Sequence, residues 1–444
     1  MVKKMLDFFL KIMQKYLPAP LTIAWLITLF VSVMALIFTP TTPLKLVQYW
    51  GGGIWNLLTF AMQMTLMLVS GYALAASKPV HKLLKRLVRI PKTPRQTILF
   101  IAFISMLLYY FNWGLGLIAG GMLAREAALY HKDTDFRLIV TAAFSGIIIT
   151  HGGLSASVPL LINTPGHFAE KQIGLVPLTQ TIFAPQCLFI IIGLVVIIPF
   201  ACLLMMPKKG TEVIADPALF ADAEDEIAET VVDKKSLSLG ERLDRSKILN
   251  ITFWLMGLTY LISYFAKNGF NININTIVLT FIVAGLICHG SLTKYMEAFG
   301  KGCSTASGII FQFPIYAGIM GIMEGSGLVI MISHWLLSAA TPKTFELWCY
   351  FSSLIITCFV PSAGGHWAVQ APFMLPAAKA LGVPAWKVAM GVAWGESIWN
   401  IVCPMWALPL LAIAKIDLRD LMAFSVLLFV IGNIITIAGI LIFH

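Results

Sequence analysis

Charge is scarce in this sequence. Asp, Glu, Lys and Arg together make up 12% of the 444 residues, where a soluble domain carries about 25%. So few charges cannot solvate a chain that is 59% hydrophobic, which excludes an ordinary soluble protein. Alternating apolar and polar strand patterns are also lacking, so a membrane β-barrel is excluded too. The seven cysteines stand singly at 187, 202, 288, 303, 349, 358 and 403. None forms a CxxC pair, so they read as packing thiols, not as metal ligands or disulfides. P-loop, HExxH and GxSxG motifs are missing. "GLGLIAGG" at Gly114 to Gly121 lacks the βαβ surroundings of a dinucleotide site. ATP-driven pumping by this chain alone is therefore not expected, and neither is a cofactor or metal. The net charge of +10 does not point to nucleic acid, because basic residues crowd the short loops of membrane proteins.

What is present is a succession of apolar segments of roughly 20 residues, the length that crosses a bilayer as helix. The fold class is an all-α polytopic membrane protein. Spans are predicted near 20–39, 54–76, 138–160, 182–206, 247–266, 272–289, 304–325, 387–413 and 421–443. The runs 97–128 and 346–379 are too short for two full crossings and break near their middle. They read as re-entrant hairpins of two half-helices, tolerated only where protein or a cavity covers the bared backbone. The second holds "FVPSAGGHWAVQAPF" (359–373), a cluster of helix breakers and polar groups among apolar neighbours.

The chain is written twice. Gly51 pairs with Gly300, Gly53 with Gly302, Gln63 with Gln312 and Lys45 with Lys294, each 249 residues apart. "PKT" at 91–93 recurs at 342–344. Five crossings separate the starts of the two units, so the second enters from the opposite face. Inverted repeats are the mark of alternating-access carriers. The division is 1–206 as unit one, 207–246 as a cytoplasmic linker and 247–444 as unit two. This map puts 25 of the 31 Lys and Arg on the cytoplasmic side, including every Arg, as the positive-inside rule expects. The N-terminus is then cytoplasmic, its basic first 15 residues an uncleaved interfacial segment, and His444 ends outside. "KPVHKLLKRLV" (78–88) places Val80, Leu83, Leu84 and Leu87 on one face, like a helix lying on the membrane surface. In the linker, 216–229 reads as a short acidic helix capped by Asp216.

Polar groups gather at four breaks. The hairpins offer Asn112, Trp113 and Gly114, and Ser362, Gly364, Gly365 and His366. The spans that follow offer His151, Gly152, Gly153, Ser155 and Ser157, and Glu396, Ser397 and Asn400. Broken helices bare N–H groups that bind anions, and carbonyls that suit cations. The glycines let backbone approach a ligand. No Lys or Arg falls at these breaks, so an anion held there would be small and bound by N–H, hydroxyl and imidazole. Glu396 and Glu324 are the acidic residues at or beside spans away from basic ends. An ionisable group at depth points to function, and Glu396 with Ser397 is the candidate for ion coupling. A proton or sodium would serve. Gln63 and Gln312 recur in both units and fit either transport or helix–helix bonding. Trp113, Trp367, Trp394, Trp399 and Trp406 suit an apolar tail or simple packing.

"GGGIWNLLTFAMQM", "NWGLGLIAG", "HGGLSASVPLL", "NGFNININT", "PSAGGHWAVQAPF" and "GESIWN" resemble the bacterial short-chain fatty acid transporter family over the whole chain. The resemblance implies a permease for butyrate- or acetoacetate-like monocarboxylates in the inner membrane. It also implies two re-entrant hairpins, an elevator movement and a homodimer. Two other readings stand beside it. One is a carrier of the same fold for a dicarboxylate. The other is an intramembrane acyl-transfer enzyme using His151 or His366, for which no nucleophile–base pair is evident.

Overall fold

The computed structural model describes residues 18, 20–220, 238–357, 360 and 362–443. The N-terminal interfacial segment, most of the acidic stretch 216–229 and His444 lie outside the described residues, as do Phe359 and Pro361. Among the described residues the chain is helical throughout, without a strand. Among the described residues, eight helices are long and apolar enough to cross a membrane, or nine if one bent pair counts as a span.

The first series of elements is α1 (Pro20–Phe38), α2 (Pro43–Gly53), α3 (Leu58–Ala75), α4 (Lys78–Leu87), α5 (Pro94–Phe111), α6 (Trp113–Tyr130), α7 (Phe136–Phe144), α8 (Ser157–Ile162) and α9 (Pro185–Leu204). A tighter 3₁₀ segment, Ser145–Gly152, links α7 to the break before α8. The second series is α10 (Lys247–Asn268), α11 (Ile274–His289), α12 (Leu292–Thr305), α13 (Ser307–Ser326), α14 (Leu328–Ala339), α15 (Phe345–Thr357), α16 (Ala363–Leu381), α17 (Ala385–Asn400), α18 (Pro404–Ala414) and α19 (Leu418–Ile442). The elements α2, α3, α4, α5, α6 and α7 start 249 to 251 residues before α12, α13, α14, α15, α16 and α17. Their caps recur too: Thr42 caps α2 and Ser291 caps α12 through side-chain oxygens.

Packing between the series is reciprocal. Helix α2 lies on α13 and α12 lies on α3; α1 lies on α13 and α11 on α3; α6 contacts α18 and α16 contacts α8. The α2–α13 crossing needs glycine. A Cβ on Gly53 would fall 2.9 Å from Gly321 Cα, and one on Gly321 would fall 2.5 Å from the Tyr49 carbonyl. Small residues let membrane helices approach this closely, which gains packing contacts without a hydrophobic drive.

The structure corrects several sequence expectations. The first hairpin is not made of half-helices. Helices α5 and α6 have 18 residues each, about 27 Å at 1.5 Å per residue. Thr93 and Pro94 start α5 ahead of its apolar run, with the Thr93 hydroxyl accepting from the Gln96 N–H. At the other end α6 runs on through Arg125 and Glu126, which pair at 3.2 Å. The span expected at 387–413 is the pair α17 and α18, bent by 44° before Pro404. The span expected at 272–289 is the 16-residue α11. The surface helix α4 stands apart from these corrections: Leu84 is buried, Leu83 is exposed, and His81 turns inward and meets Glu126 at 3.1 Å. The start of the acidic linker stretch, Pro217–Phe220, is 3₁₀ and not α-helix.

Candidate functional site

Asn112 is the single residue between α5 and α6, and its extended backbone reverses the chain. Its side chain is fully committed to this turn. Oδ1 accepts from the Leu115 N–H at 2.9 Å, and Nδ2 donates to the Met67 carbonyl at 3.2 Å. The next residue's N–H, that of Trp113, donates to Ser155 Oγ at 2.9 Å. The break after His151 presses on the same turn. Leu154 donates to the Tyr110 carbonyl at 2.7 Å, and a Cβ on Gly153 would lie 2.4 Å from that oxygen. Glycine at 153 is thus required by a close backbone approach.

The two hairpins share a second feature. Ser105 on α5 donates to the Ala143 carbonyl on α7. Ser353 on α15 donates to the Val392 carbonyl on α17 at 2.6 Å. Each hydroxyl ties a hairpin limb to the broken span that follows it.

A cavity of about 190 Å³ lies where the four breaks meet. Trp113 comes from the first break, Thr150, His151 and Ser157 from the second, Ser362 and Gly364 from the third, and Glu396 and Asn400 from the last. Met64, Leu68, Leu117, Ile118, Phe313 and Met405 add an apolar wall. Among the described residues no Lys or Arg lines it. The mouth lies at Thr305 and Gly308, which are exposed.

His151 Nε2 and Glu396 Oε2 are in direct contact inside this cavity, and both side chains are buried. Among the described residues, five buried polar atoms on its wall have no hydrogen-bond partner. They are Tyr109 Oη, Trp113 Nε1, His151 Nδ1, Asn400 Oδ1 and Trp406 Nε1. Three are obligate or ready donors. A buried polar atom left unpaired costs about 1–3 kcal/mol, so such a wall favours a polar guest. Trp113 and Trp406 stand edge to face at 5.5 Å between ring centres.

The structure places most of the remaining sequence candidates away from this wall. Gly114 packs on Leu68 backbone, Gly152 on Ile191 and Trp394, and Gly365 on the Tyr316 ring. Ser397 donates to the Ile148 carbonyl at 2.9 Å and lies 3.4 Å from the His151 N–H. His366 is fully buried one turn beyond Ser362, bonded to Gln370 and 3.5 Å from Thr357. Gln312 lines the cavity and accepts from Tyr316 at 3.1 Å. Gln63 does not line it and bonds Asn275 at 2.8 Å. Glu324 is exposed. Sequence reasoning missed Tyr109, Thr150 and Thr305. Thr150 had a signal, as the neighbour of His151; Tyr109 sits within a helical limb and had none.

Sequence reasoning also missed Glu346. It is 1% exposed at the start of α15, contacted by the Gln186 amide and 3.9 Å from Lys387 Nζ.

The model of the family described as "Short chain fatty acid transporter" matches residues 1–443. The chain belongs to the short-chain fatty acid transporter family. It is 40% identical to the family's protein from Escherichia coli (strain K12), over all of both chains. It is 40% identical to the Haemophilus influenzae protein, over 96% of each. Among solved structures, the YdaH transporter of Alcanivorax borkumensis has a TM-score of 0.56 at 16% identity, covering 95% of this chain and 98% of that one. MtrF of Neisseria gonorrhoeae has a TM-score of 0.57 at 13% identity, covering 100% and 97%. These two likenesses establish the fold alone. This family member is a transporter, not an enzyme, and a multi-pass bacterial inner-membrane protein.

Proposed function

We propose that this short-chain fatty acid transporter carries butyrate- or acetoacetate-like monocarboxylates together with a proton, and that His151 and Glu396 carry that proton. The observation that supports this most is the buried His151–Glu396 contact in a cavity that no Lys or Arg lines among the described residues. An imidazolium–carboxylate pair is neutral. A monoanion entering beside it would leave one uncompensated negative charge at depth, which is costly. One proton on Glu396 balances the sum, since the pair then carries +1 and the substrate −1. The imidazolium keeps Nε2 toward Glu396 and has Nδ1 left to donate to the substrate carboxylate. The indole N–H groups of Trp113 and Trp406 and the Ser362 hydroxyl complete the cradle, and Met64, Leu68 and Phe313 take the short apolar tail. A second carboxylate would find no further cation on this wall. Sodium held by break carbonyls is the alternative coupling ion.

In this reading the two series of helices are inverted repeats. The reciprocal packing and recurrent caps support that, as a two-fold relation makes each contact occur twice. The hairpins with α7, α8, α17 and α18 form the moving part of an elevator. The mouth at Thr305 follows Lys294 and Lys301, which the positive-inside rule assigns to the cytoplasm, so the cavity opens inward. The homodimer belongs to the same reading. Helix α10 offers a surface for it, since only 11% of its apolar window is buried.

Uptake by purified protein in liposomes tests the function. An inward proton gradient should drive accumulation of labelled butyrate, and a protonophore should abolish it. Accumulation that follows a sodium gradient and ignores the proton gradient would overturn proton coupling.

A further inference from the structure

A second, smaller cavity of about 90 Å³ lies beside Asn56, Thr59, Phe60 and Gln63 on one wall and Thr164 and His167 on the other. Its first wall is the repeat counterpart of the wall at the mouth of the main cavity. Asn56, Thr59, Phe60 and Gln63 stand 249 residues before Thr305, Gly308, Ile309 and Gln312, and all four of those line the main cavity. Exposure matches as well: Asn56 and Thr59 are exposed, as are Thr305 and Gly308. Two cavities built from the same positions of a twofold-written chain differ about twofold in volume.

A polar latch lies beside the smaller one. Asn163, just after α8, donates to Asn271 Oδ1 at 3.1 Å and to the Ile272 carbonyl at 2.7 Å. The Ile274 N–H donates to Thr164 Oγ1 at 3.2 Å. Asn163 and Thr164 are buried although they belong to a connection. These bonds join the end of α8 to the start of α11. His167, 7% exposed, uses Nε2 on the Gly174 carbonyl and leaves a buried Nδ1 without a partner on the cavity wall.

We infer that this cavity is the second mouth of the transport path, and that Asn56, Gln63 and His167 form a contact site for the monocarboxylate in the opposite state. The Asn163–Asn271 latch holds α8 against α11 and keeps that mouth narrow. The inference rests on the inverted-repeat reading above, but its first test needs no substrate. When the latch opens, the α8 end withdraws from α11 and exposes the wall of Gln63, while the wall of Gln312 closes by the same rotation of the repeat relation. Gln63 then lines the open path as Gln312 lines the main cavity in the present state.

The experiment uses full-length protein lacking native cysteines, with Asn56→Cys or Thr305→Cys as reporters and a membrane-impermeant maleimide applied to either face. The two reporters should react from opposite faces. Asn163→Ala removes two part-buried hydrogen bonds, each of which shifts an equilibrium by roughly fivefold. It should speed modification of Asn56→Cys severalfold and slow that of Thr305→Cys. If Asn163→Ala fails to insert, Thr164→Val removes one latch bond with almost no change of shape and should act in the same direction. Rates that change together, or not at all, would overturn the second mouth. Butyrate added to the latch-released protein should slow modification of Asn56→Cys. An absence of protection there, in a protein that still takes up butyrate, would overturn the contact site. Reciprocal labelling in a protein that does not transport butyrate would uphold the mouth and remove only the substrate assignment.

Discussion

Ser397 donates a 2.9 Å hydrogen bond to the carbonyl of Ile148, and the two residues stand 249 apart. They hold the same place in the two series of helices, so this bond ties each broken span to its own counterpart. The Ser397 hydroxyl also faces the His151 N–H at 3.4 Å. Ser397→Ala should destabilise the protein by about 1 kcal/mol and loosen His151. A lower unfolding temperature together with a raised KM for butyrate is expected. A change in stability with KM untouched would show that Ser397 does not position His151.

Glu396→Gln keeps the shape and removes the exchangeable charge. It should abolish accumulation against a gradient while leaving substrate-for-substrate exchange measurable. Accumulation equal to the parent's would make Glu396 a structural residue.

Gly364 packs the tip of the second hairpin against Phe60. A Cβ there would lie 2.2 Å from the Phe60 ring and 3.1 Å from the Phe313 ring. Overpacking of this kind costs about 1–3 kcal/mol. Gly364→Ala should depress uptake, and Phe60→Leu should restore part of it. Failure of the second change to rescue would place the effect of Gly364 at the substrate and not at the ring.

Glu346→Ala would leave Lys387 only the Phe443 carbonyl at 3.2 Å and leave the Gln186 amide without its acceptor. Leaving the buried Gln186 amide unpaired costs about 1–3 kcal/mol, and Gln at 346 can still accept from it. Thermal unfolding in detergent should fall sharply for Glu346→Ala and less for Glu346→Gln. Equal losses would locate the effect in packing volume.

Asp135 anchors the start of the linker. Its carboxylate accepts from the Val213 N–H at 2.9 Å and from Arg137 at 2.8 Å. Burial opposes its ionisation, but hydrogen bonds from Arg137 and the Val213 and Leu138 N–H groups prevail and hold its pKa below the usual value. A lowered folded-state pKa gives stability that is present above the ordinary aspartate range. It is lost only as pH falls through that lowered value. Linker docking should therefore hold at neutral pH and weaken below about pH 4. Asp135→Asn should raise protease cleavage near Val213 severalfold at pH 7. Unchanged cleavage would mean that the Phe136–Phe220 ring contact suffices.

The sequence by itself determined the membrane class, the double writing of the chain and the positions of the four breaks. Each follows from local chemistry: apolar length, recurrent spacing, and Gly, Pro and Asn where helix cannot continue. It also named His151, Glu396, Ser362, Asn400 and Trp113, because polar groups at depth are few. Only the tertiary structure decided which of the candidates face the cavity. Helix α16 is buried on every side from Ala363 to Leu375, so no polar stripe marks its lining face, and His366 proves to lie behind the tip that Ser362 and Gly364 present. Glu346 was invisible for a related reason. Its partners Gln186 and Lys387 lie far away in the chain, and burial at a hairpin's end is created by whatever closes over it. In a bundle whose helices are apolar all round, periodicity cannot encode facing, and the rotation of each helix is set by close approaches such as Gly53 on Gly321 and by bonds between distant segments.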